Sequence, residues 1–365
     1  MFQATDRGCN LGGLRSGCGS PVLALPDRQE NLELNAGSSG SLPEGGSSAL
    51  PGGDCPKSVP FSKAALIYNP AARRLRWRRT RRLGALLERL RSFGLKLEVH
   101  ATVGSNHATG LARSALQRGC ELIVACGGDG TVNEVVGGMA GSRVPLMVIP
   151  AGTANVLAHE IGLPLDWVEA AGLLRTGRVR RISLGRVGRR PFVLMAGIGV
   201  DAAVVGSVRG GLKALLGQGA FWVAGLRQLL SYPFTPFEVQ AEGDSRQATF
   251  AVIARARNYG GGFQIAGQAD LFSEDFQVCL FQNTSRWRFP RYFWNLVRRS
   301  HHRLPDVLQF RTRSVLVKGS PQTGVQVDGE LIGCLPQSVT IQTDALSLVV
   351  PEPGQISSGA RKVIP

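Results

Sequence analysis

The stretch from residue 121 to residue 134 reads Glu-Leu-Ile-Val-Ala-Cys-Gly-Gly-Asp-Gly-Thr-Val-Asn-Glu and predicts a buried strand, a glycine turn and a helix. The three glycines carry no Cβ, so an anion can approach the backbone N–H groups of the turn closely. Thr131 can cap the helix, whose positive N-terminal end also favours a phosphate. Asp129 is unfavourable beside a bare phosphate but suitable beside a Mg²⁺–nucleotide. An ordinary glycine-rich turn is the alternative, and the length of the string favours a phosphate site.

The composition is that of a basic chain of 365 residues, long enough for two domains and a sizeable core. Its net charge of +16 suits phosphates, anionic lipid or nucleic acid as partners, although a general bias towards arginine is an alternative cause. The chain has no run of about 18 apolar residues and no recognisable signal peptide, so we expect neither a transmembrane helix nor secretion. Its seven cysteines form no Cys-x-x-Cys pair and its five histidines no zinc-binding spacing, which predicts free thiols in a reducing cytoplasm.

Four regions differ in composition. Residues 1–60 are rich in Gly, Ser and Pro, which predicts a disordered N-terminal extension. Residues 61–177 alternate strand-like and helix-like segments, including helices near 131–139 and 153–161, and predict an α/β nucleotide-binding domain with a mostly parallel sheet. Residues 178–351 contain short strand-like runs and one helical insert near 204–230, which predicts a largely antiparallel β domain. Residues 352–365 form a C-terminal tail.

Further strings carry candidate site residues. Residues 149–155, Ile-Pro-Ala-Gly-Thr-Ala-Asn, predict a second glycine turn in which Thr153 offers a hydroxyl at a helix start. Residues 197–201 place a carboxylate just beyond two glycines, and residues 258–263 place three glycines between aromatic rings. Residues 327–330, Val-Asp-Gly-Glu, place two carboxylates around a turn at a strand end. An ordinary capped helix and an ordinary Asp-Gly hairpin are the alternatives for the first and last strings.

Together and in this order, these strings resemble the catalytic-domain family of the diacylglycerol kinases, which includes sphingosine and ceramide kinases and soluble bacterial lipid kinases. The resemblance runs from about Ala64 to Pro351 and also includes Asn69-Pro70. Gly-Gly-Asp-Gly-Thr alone occurs in NAD kinases as well. The resemblance implies an NAD kinase-like α/β N-terminal domain with a mostly parallel sheet, a C-terminal antiparallel β-sandwich that receives the lipid, and an active site between them.

The resemblance also implies a reaction, in which ATP with Mg²⁺ phosphorylates the hydroxyl of a diacylglycerol-like or sphingoid-like lipid. Glu330 would be the general base, with Asp328 beside it, and Asp129 would act near Mg²⁺ and the phosphates. Phosphoryl transfer needs these parts, namely charge neutralisation, alignment and a base within hydrogen-bond reach. The residues that the resemblance places against ATP are Asn69, Arg73, Thr102, Gly127, Gly128, Asp129, Gly130, Thr131, Asn133 and Thr153.

The loop at residues 270–275 departs from the family pattern. Many bacterial members have Asp-Gly in this loop, and the Asp helps to hold a structural Mg²⁺. This sequence reads Asp270-Leu-Phe-Ser-Glu-Asp275, with Ser273-Glu274 in the place of Asp-Gly. We therefore expect the protein either to lack this Mg²⁺ or to bind it weakly through neighbouring acids. Asp270, Glu274 and Asp275 are the neighbouring acids, and we select Asp270 and Asp275 as candidate ligands.

Two arginine-rich segments, residues 73–91 and 286–303, combine cations with apolar side chains. The second holds six arginines and five aromatic residues, a combination that suits the interface of an anionic membrane. A solvated helix face with its apolar side in the core is the alternative. We expect a cytoplasmic enzyme peripherally associated with the inner face of the membrane, with a lipid substrate, no nucleic-acid partner and a homodimer as one option.

Two other functions remain open from the sequence, an NAD kinase and a catalytically weak lipid- or nucleotide-binding homologue. Gly-Thr-Ala-Asn and the Asp-Gly-Glu ending favour the lipid kinases over NAD kinases, and the presence of both Asp129 and Glu330 argues against a silent homologue. The acceptor also stays open among diacylglycerol, monoacylglycerol, a sphingoid base, phosphatidylglycerol and an undecaprenyl-type alcohol.

Overall fold

The computed structural model describes residues 59–72, 79–207, 232–259 and 263–352, all of which belong to one compact unit, Ser58–Pro365. Several predictions from sequence fall outside these residues. They are the N-terminal extension up to residue 58, Arg73, most of the insert at 204–230, the glycines at 260–262 and nearly all of the C-terminal tail. Within the described residues, no helix is both long and apolar enough to cross a bilayer.

The N-terminal part is a four-stranded parallel sheet in the order β2-β1-β3-β4, with helices connecting its strands. Strands β3 and β4 are buried along their whole length, as expected for parallel strands covered on both faces. The elements are β1 (Lys63–Tyr68), α1 (Arg79–Arg91), β2 (Lys96–Ala101), α2 (His107–Gln117), β3 (Leu122–Gly127), α3 (Asp129–Met139), β4 (Pro145–Pro150), α4 (Val156–Glu160) and α5 (Trp167–Thr176).

The C-terminal part is built from antiparallel strands, so the predicted fold class is confirmed. Six of these strands form a separate sheet in the order β12-β11-β10-β7-β14-β15. The elements are β5 (Arg178–Val187), β6 (Arg190–Phe192), β7 (Met195–Gly199), α6 (Val200–Ser207), β8 (Phe237–Ala241), β9 (Asp244–Ala248), β10 (Phe250–Ala254), β11 (Phe276–Phe281), α7 (Phe289–Val297), β12 (Val307–Thr312), β13 (Ser314–Lys318), β14 (Gly324–Val327), β15 (Glu330–Cys334) and β16 (Gln337–Val350).

The long strand β16 joins the two parts. It pairs with β5 in antiparallel fashion from Val339 to Val350, apart from one irregularity. Its first residues also pair with β13 in antiparallel fashion, and Ser347 and Leu348 also pair with β4 in parallel. The register shifts between residues 342 and 346, where Asp344 has a φ of +52°. Arg181 holds this irregularity, because its side chain donates to the Asp344 carboxylate (2.7 Å) and to the carbonyl of Ser142 (2.8 Å). The parallel sheet therefore continues directly into one layer of the β-sandwich.

The sandwich core lies between the two antiparallel layers and consists mainly of aliphatic side chains packed around three phenylalanines. Phe192 stacks on Phe276 with 6.0 Å between ring centroids, and both are fully buried with Phe237. Gly185 makes room for this packing, because a Cβ at this position would lie 2.1 Å from the Phe192 ring. This core fixes β6 and β7, the strands that carry part of the candidate site.

Two helix starts differ from those predicted. Helix α3 begins at Asp129 with Gly128 as its N-cap, so Thr131 lies inside the helix and does not cap it. Helix α4 begins at Val156 rather than near Thr153, because Asn155 adopts a left-handed conformation (φ 46°). The Asn155 side chain accepts from the N–H of Gly152 (2.8 Å) and donates to its carbonyl (3.2 Å), which closes a turn before the helix begins.

We predict opposite effects of alanine at two adjacent glycines of α3. A Cβ at Gly138 would lie 2.5 Å from the carbonyl oxygen of Thr109 and 2.8 Å from the Cβ of Ala112 in α2, whereas a Cβ at Gly137 would have no contact closer than 3.8 Å. Gly138→Ala should destabilise the fold by about 1–3 kcal/mol through overpacking. Gly137→Ala should stabilise it by up to about 1 kcal/mol through helix propensity. Denaturant unfolding measures both, and equal effects would contradict the close packing of α2 on α3.

Candidate active site

The two predicted glycine turns lie side by side at the carboxyl ends of β3 and β4. A Cβ on Gly152 would lie 2.5 Å from the Cα of Gly128, so the two turns approach more closely than side chains allow. The N–H of Ala151 donates to the carbonyl of Gly127 at 2.9 Å and fixes their register. A small pocket with about 170 Å³ of empty space opens here, lined by both turns and by apolar side chains of β4 and α4. Ligands of open α/β sheets bind at this edge.

Asp129 links the two turns. Its carboxylate accepts hydrogen bonds from the backbone N–H groups of Asn155, Val156 and Leu157, at the start of α4. Burial raises the pKa of Asp129, and these hydrogen bonds oppose the rise because they favour the charged form. Asp129 therefore has a structural role in addition to the one predicted, since it orients the second turn towards the first.

Three predicted nucleotide residues line the same edge of the sheet. The Asn69 amide donates to the hydroxyl of Thr131 (3.2 Å) and accepts from the N–H of Ala71 (2.9 Å). Thr102 follows β2, and its N–H donates to the carbonyl of Tyr68 at 2.9 Å, directly before Asn69. The structure thus brings Asn69, Thr102 and Thr131 together, and the exposed Thr153 lies on the neighbouring turn.

The last two residues of the 127–134 string have different surroundings. Both polar atoms of the Asn133 side chain are buried, and neither has a hydrogen-bond partner among the described residues. Glu134 instead caps α2, because its carboxylate accepts from the N–H of Ala108 (3.0 Å) and its carbonyl accepts from the Thr109 hydroxyl (2.8 Å). The Asn133 side chain therefore has donors and an acceptor available for a ligand. The Glu134 carboxylate is instead engaged in capping α2.

The carboxylate of Asp328 fixes the backbone of the second sheet. Asp328 and Gly329 have φ angles of +46° and +82° and form the tight turn of the β14–β15 hairpin, as the Asp-Gly pair predicts. The Asp328 carboxylate accepts from the N–H groups of residues 193, 194 and 195 at 2.7–2.9 Å. Burial raises the pKa of Asp328 to about 6, and the charge of Asp129 adds to the rise. The two motifs are therefore close enough to interact electrostatically.

Glu330, at the start of β15, forms an ion pair with Arg190 of β6. Its side chain keeps 27% of its exposure, so a ligand can reach it. Arg190 was not predicted from the sequence, because an Arg-Arg-Pro sequence in a highly basic chain carries no distinguishing signal. The ion pair holds the predicted base in a defined position beside the Asp328 turn.

Two further strings of the resemblance, residues 197–201 and 258–263, meet with Gln326 in one buried cluster. Asp201 accepts hydrogen bonds from the Gln326 amide (2.6 Å) and from the Tyr259 hydroxyl. A Cβ on Gly197 would lie 1.8 Å from the Asp201 carboxylate, so a side chain there would displace it. Burial raises the pKa of Asp201 and that of Tyr259. This cluster ties β7, β14 and the segment before the glycines at 260–262 into one unit.

The acids predicted to hold a structural metal are engaged with protein groups. Both carboxylate oxygens of Asp275 accept from Arg311 (2.8 and 2.6 Å), which lowers the pKa of Asp275. The Asp270 carboxylate accepts from the N–H of Phe272 at 3.0 Å. Within the described ranges, no group of three or more His, Cys, Asp or Glu side chains is placed to hold a metal ion. The donor set of the 270–275 loop thus does not fit a structural Mg²⁺.

We predict a pH-dependent contribution of Asp328 to stability. Its native pKa of about 6 lies above the ordinary value of 3.8, so the native state favours the protonated carboxyl. This stabilisation is present below pH 4 and is lost as the pH rises through 6, by up to about 3 kcal/mol. The free energy of unfolding of the wild type, relative to Asp328→Asn, should fall by that amount between pH 4 and 7. A constant difference would contradict the raised pKa.

Comparisons with known proteins agree with this geometry. The family model described as "Diacylglycerol kinase catalytic domain" matches residues 63–187. The model described as "YegS C-terminal NAD kinase beta sandwich-like domain" matches residues 195–350. A crystal structure of a diacylglycerol kinase from Bacillus anthracis shares the fold with a TM-score of 0.66 at 21% identity, covering 80% of this chain and 98% of that one.

Curated relatives extend the match over most of their length. The chain is 31% identical to a diacylglycerol kinase of Bacillus subtilis over 281 residues, which are 76% of this chain and 92% of the relative. It is 29% identical to a diacylglycerol kinase of Mycobacterium tuberculosis, covering 73% of this chain and 89% of the relative. The chain belongs to the diacylglycerol kinase family and is a kinase.

Proposed function

We propose that this protein transfers the γ-phosphoryl group of ATP to the hydroxyl of a membrane lipid, with Mg²⁺ accompanying the nucleotide. The observation that carries the proposal is the contact between the turns at Gly128 and Gly152. The charge of Asp129 in these turns also acts on Asp328, in the hairpin that bears Glu330. The turns offer backbone N–H groups to phosphates, and the hairpin offers a carboxylate to the acceptor. Phosphoryl transfer depends mainly on such positioning and charge stabilisation.

The nucleotide would lie along the carboxyl edge of β1 to β4. Asn69, Thr102 and Thr131 line this edge, and the buried amide of Asn133 has donors and an acceptor to offer. On the other turn, Thr153 presents an exposed hydroxyl. The same proposal includes Arg73, which follows Asn69 in the chain and lies outside the described residues. When bound, Mg²⁺ neutralises charge on the phosphates, and Asp129 is the acid of these turns that would face it.

The acceptor hydroxyl would lose its proton to Glu330. In the structure Glu330 is paired with Arg190, so it must exchange this partner for the hydroxyl. Arg190 then remains as a positive charge beside the phosphoryl group that is being transferred, where such a charge is favourable. Asp328 holds the turn in place through its three backbone hydrogen bonds and is a positioning residue in this scheme.

The lipid class follows from the relatives and from the surface near the site. The Bacillus subtilis and Mycobacterium tuberculosis relatives are named diacylglycerol kinase, and we extend that substrate class to this chain. A sphingoid base is the second candidate, because its acceptor is also a hydroxyl at the membrane interface.

The helix α7 supplies a surface on which the enzyme would rest at the inner face of an anionic membrane. Tyr292 is buried against Phe281, whereas the opposite side of the helix exposes Trp294 (56%) and Val297 (47%). Trp287, in the turn before the helix, is 79% exposed. Residues 286–303 contain no acid, and such a mixture of exposed rings and cations suits the membrane interface.

This surface adjoins the site. Phe293 of α7 lies 5.8 Å, centroid to centroid, from Phe263, the residue that follows the glycines at 260–262. A membrane under α7 would therefore present lipid next to the segment around residues 258–263. The same segment contacts α4, because the Glu160 carboxylate accepts from the Asn258 amide at 2.9 Å. In this proposal a bilayer-held lipid would approach the hairpin past this segment.

The function is tested with labelled ATP, Mg²⁺ and a panel of diacylglycerol, monoacylglycerol, sphingoid base, phosphatidylglycerol and undecaprenol. We expect one phosphorylated lipid class, most strongly from diacylglycerol.

Asp129→Asn should lower turnover by about 10²-fold or more, because it removes the carboxylate charge at the phosphate turns.

Asp166→Asn is the matched control for this variant. Asp166 caps α5 through the N–H groups of residues 168 and 169, much as Asp129 caps α4, and Asn is an equally good cap. Turnover of Asp166→Asn should stay at the wild-type level. Phosphorylation of NAD but of no lipid, or near-normal turnover of folded Asp129→Asn, would contradict the proposal.

The membrane surface is tested with charge variants. Arg288 is bound to Asp306 (2.9 Å), so the test uses the exposed Arg291 and Arg298, the latter stacked over Trp294 at 4.7 Å. Replacing both by Gln should weaken binding to anionic vesicles roughly 30-fold, at roughly 1 kcal/mol per arginine. Activity on bilayer-held lipid should fall in parallel, and activity on a short-chain soluble lipid should change much less.

The control replaces Arg113 and Arg143 by Gln, two exposed arginines of α2 and of the segment before β4, outside both arginine-rich segments. It removes the same charge from another surface and should leave vesicle binding nearly unchanged. Equal losses in both double variants would show that net charge, and not the α7 surface, governs membrane binding.

A further inference from the structure

A buried arginine lies at the centre of the loop that departs from the family pattern. Arg255 follows β10, has no exposed surface and is among the largest fully buried side chains. Its guanidinium donates to the carbonyl oxygens of Ser273 (2.8 Å), Asp275 (3.1 Å) and Leu271, all in the 270–275 loop. It also donates to the carbonyl of Ser183 in β5, at 3.1 Å. Four carbonyl oxygens thus converge on one cation.

The loop has the form expected of a cation-binding loop. Its carbonyls at 271, 273 and 275 alternate along the chain and point to a single centre, and hard cations are commonly held by such oxygen atoms. Burying a charge without compensation costs several kcal/mol. Here the carbonyl dipoles and the carboxylates of Asp270 and Asp275 provide the compensation. Burial lowers the pKa of Arg255 to about 10, which leaves the side chain charged at neutral pH.

Other arginines hold the outer side of the same loop. Arg311 binds the Asp275 carboxylate through two nitrogens and donates to the carbonyl of Gln268 (3.2 Å). Arg257 donates to the carbonyl of Ala269 at 3.1 Å, and Arg313 pairs with Glu274 at 2.9 Å. Asp275 and Glu274 are therefore paired with guanidinium groups, and the Asp270 carboxylate accepts from the N–H of Phe272.

We infer that Arg255 is an internal cation that occupies the metal position of the 270–275 loop, so that this chain holds the loop without Mg²⁺. Ser273 fits this arrangement, because its hydroxyl donates to the carbonyl of Asp270 (2.8 Å) and adds no second negative charge. Two differences then belong together. The family's Asp-Gly is replaced by Ser273-Glu274, and the cation of the loop is the Arg255 side chain instead of a bound metal ion.

The inference has a structural consequence for the kinase. Two residues beyond Arg255, the N–H of Arg257 donates to the Glu160 carboxylate of α4 at 3.2 Å, and the Asn258 amide does so at 2.9 Å. Arg255 therefore anchors the segment that leads to Tyr259 and connects the sandwich to the second glycine turn. It is a positioning residue and contacts no reacting group.

The test is the melting temperature (Tm) of the nucleotide-free protein in EDTA and in millimolar MgCl₂. The wild type should melt at the same temperature in both. Arg255→Met, which keeps the volume but removes the charge and the donors, should lower Tm by roughly 5–15 °C. Arg313→Gln, which removes the exposed ion pair with Glu274, should change Tm by no more than a few degrees.

Two further variants distinguish a filled metal position from an ordinary buried arginine. Ser273→Asp alone should gain no Mg²⁺-dependent Tm, because the guanidinium still fills the position. Arg255→Ser combined with Ser273→Asp should gain a Tm increase of several degrees with Mg²⁺ or Mn²⁺, since a ligand that binds only the native state stabilises it. No such increase in the folded double variant would contradict the inference.

The wild-type titration tests the inference even where Arg255 variants do not fold. A saturable Mg²⁺-dependent rise in Tm that persists in Asp129→Asn would place a metal outside the phosphate turns and overturn the inference. If Asp129→Asn abolishes the Mg²⁺-dependent rise in Tm, the metal binds at the phosphate turns. The 270–275 loop is then metal-independent, as inferred.

Discussion

The contact between the glycine turns at Gly128 and Gly152 is the constraint on which the rest of the site depends. The turns meet at a distance that only glycine permits, and Asp129 crosses from one to the other to cap α4. The first turn therefore positions the second, and a ligand of one meets the other. Because α4 has only five residues, it depends on this external cap more than a long helix would. Two turns whose contacting glycines, Gly128 and Gly152, are 24 residues apart in sequence therefore form one structural unit, which we propose as the phosphate site.

The acids of the site are of two kinds. Three are buried and hydrogen-bonded to other groups of the protein, and one, Glu330, is partly exposed. Asp129, Asp201 and Asp328 each accept two or more hydrogen bonds from protein groups. Asp129 and Asp328 position backbone, whereas Asp201 holds the side chains of Gln326 and Tyr259. Burial raises the pKa of each of these three acids. Glu330 differs, because its partner is a single arginine on a neighbouring strand and its side chain keeps partial exposure. A base that exchanges partners during turnover needs this lighter restraint, which favours Glu330 for the proton transfer.

Patterns that extend over a few residues predicted much of this architecture. Contacts between distant segments could not be predicted from such patterns. The four parallel strands, the glycine turns and the Asp328 hairpin were correctly predicted, because apolar runs and turn residues act over a few positions. The pairing of β16 with β4, by contrast, joins segments some 200 residues apart. Arg190 and Arg255 were also missed, since one arginine among many carries no signal until its partners are known. The starts of α3 and α4 were misplaced because Gly128 and Asn155 control them.

The distribution of the arginines shows why net charge alone is a weak guide to function. Arg181, Arg255 and Arg311 are charged residues that hold backbone carbonyls and carboxylates of the fold itself. They add to the net charge of +16 but are not available to a partner. The α7 surface is different, because residues 286–303 contain no acid and expose cations beside rings. A polyanion partner therefore has to be inferred from exposed arginines that lie beside exposed rings. Arg291 and Arg298 of α7, with Trp294, form such a group among the described residues.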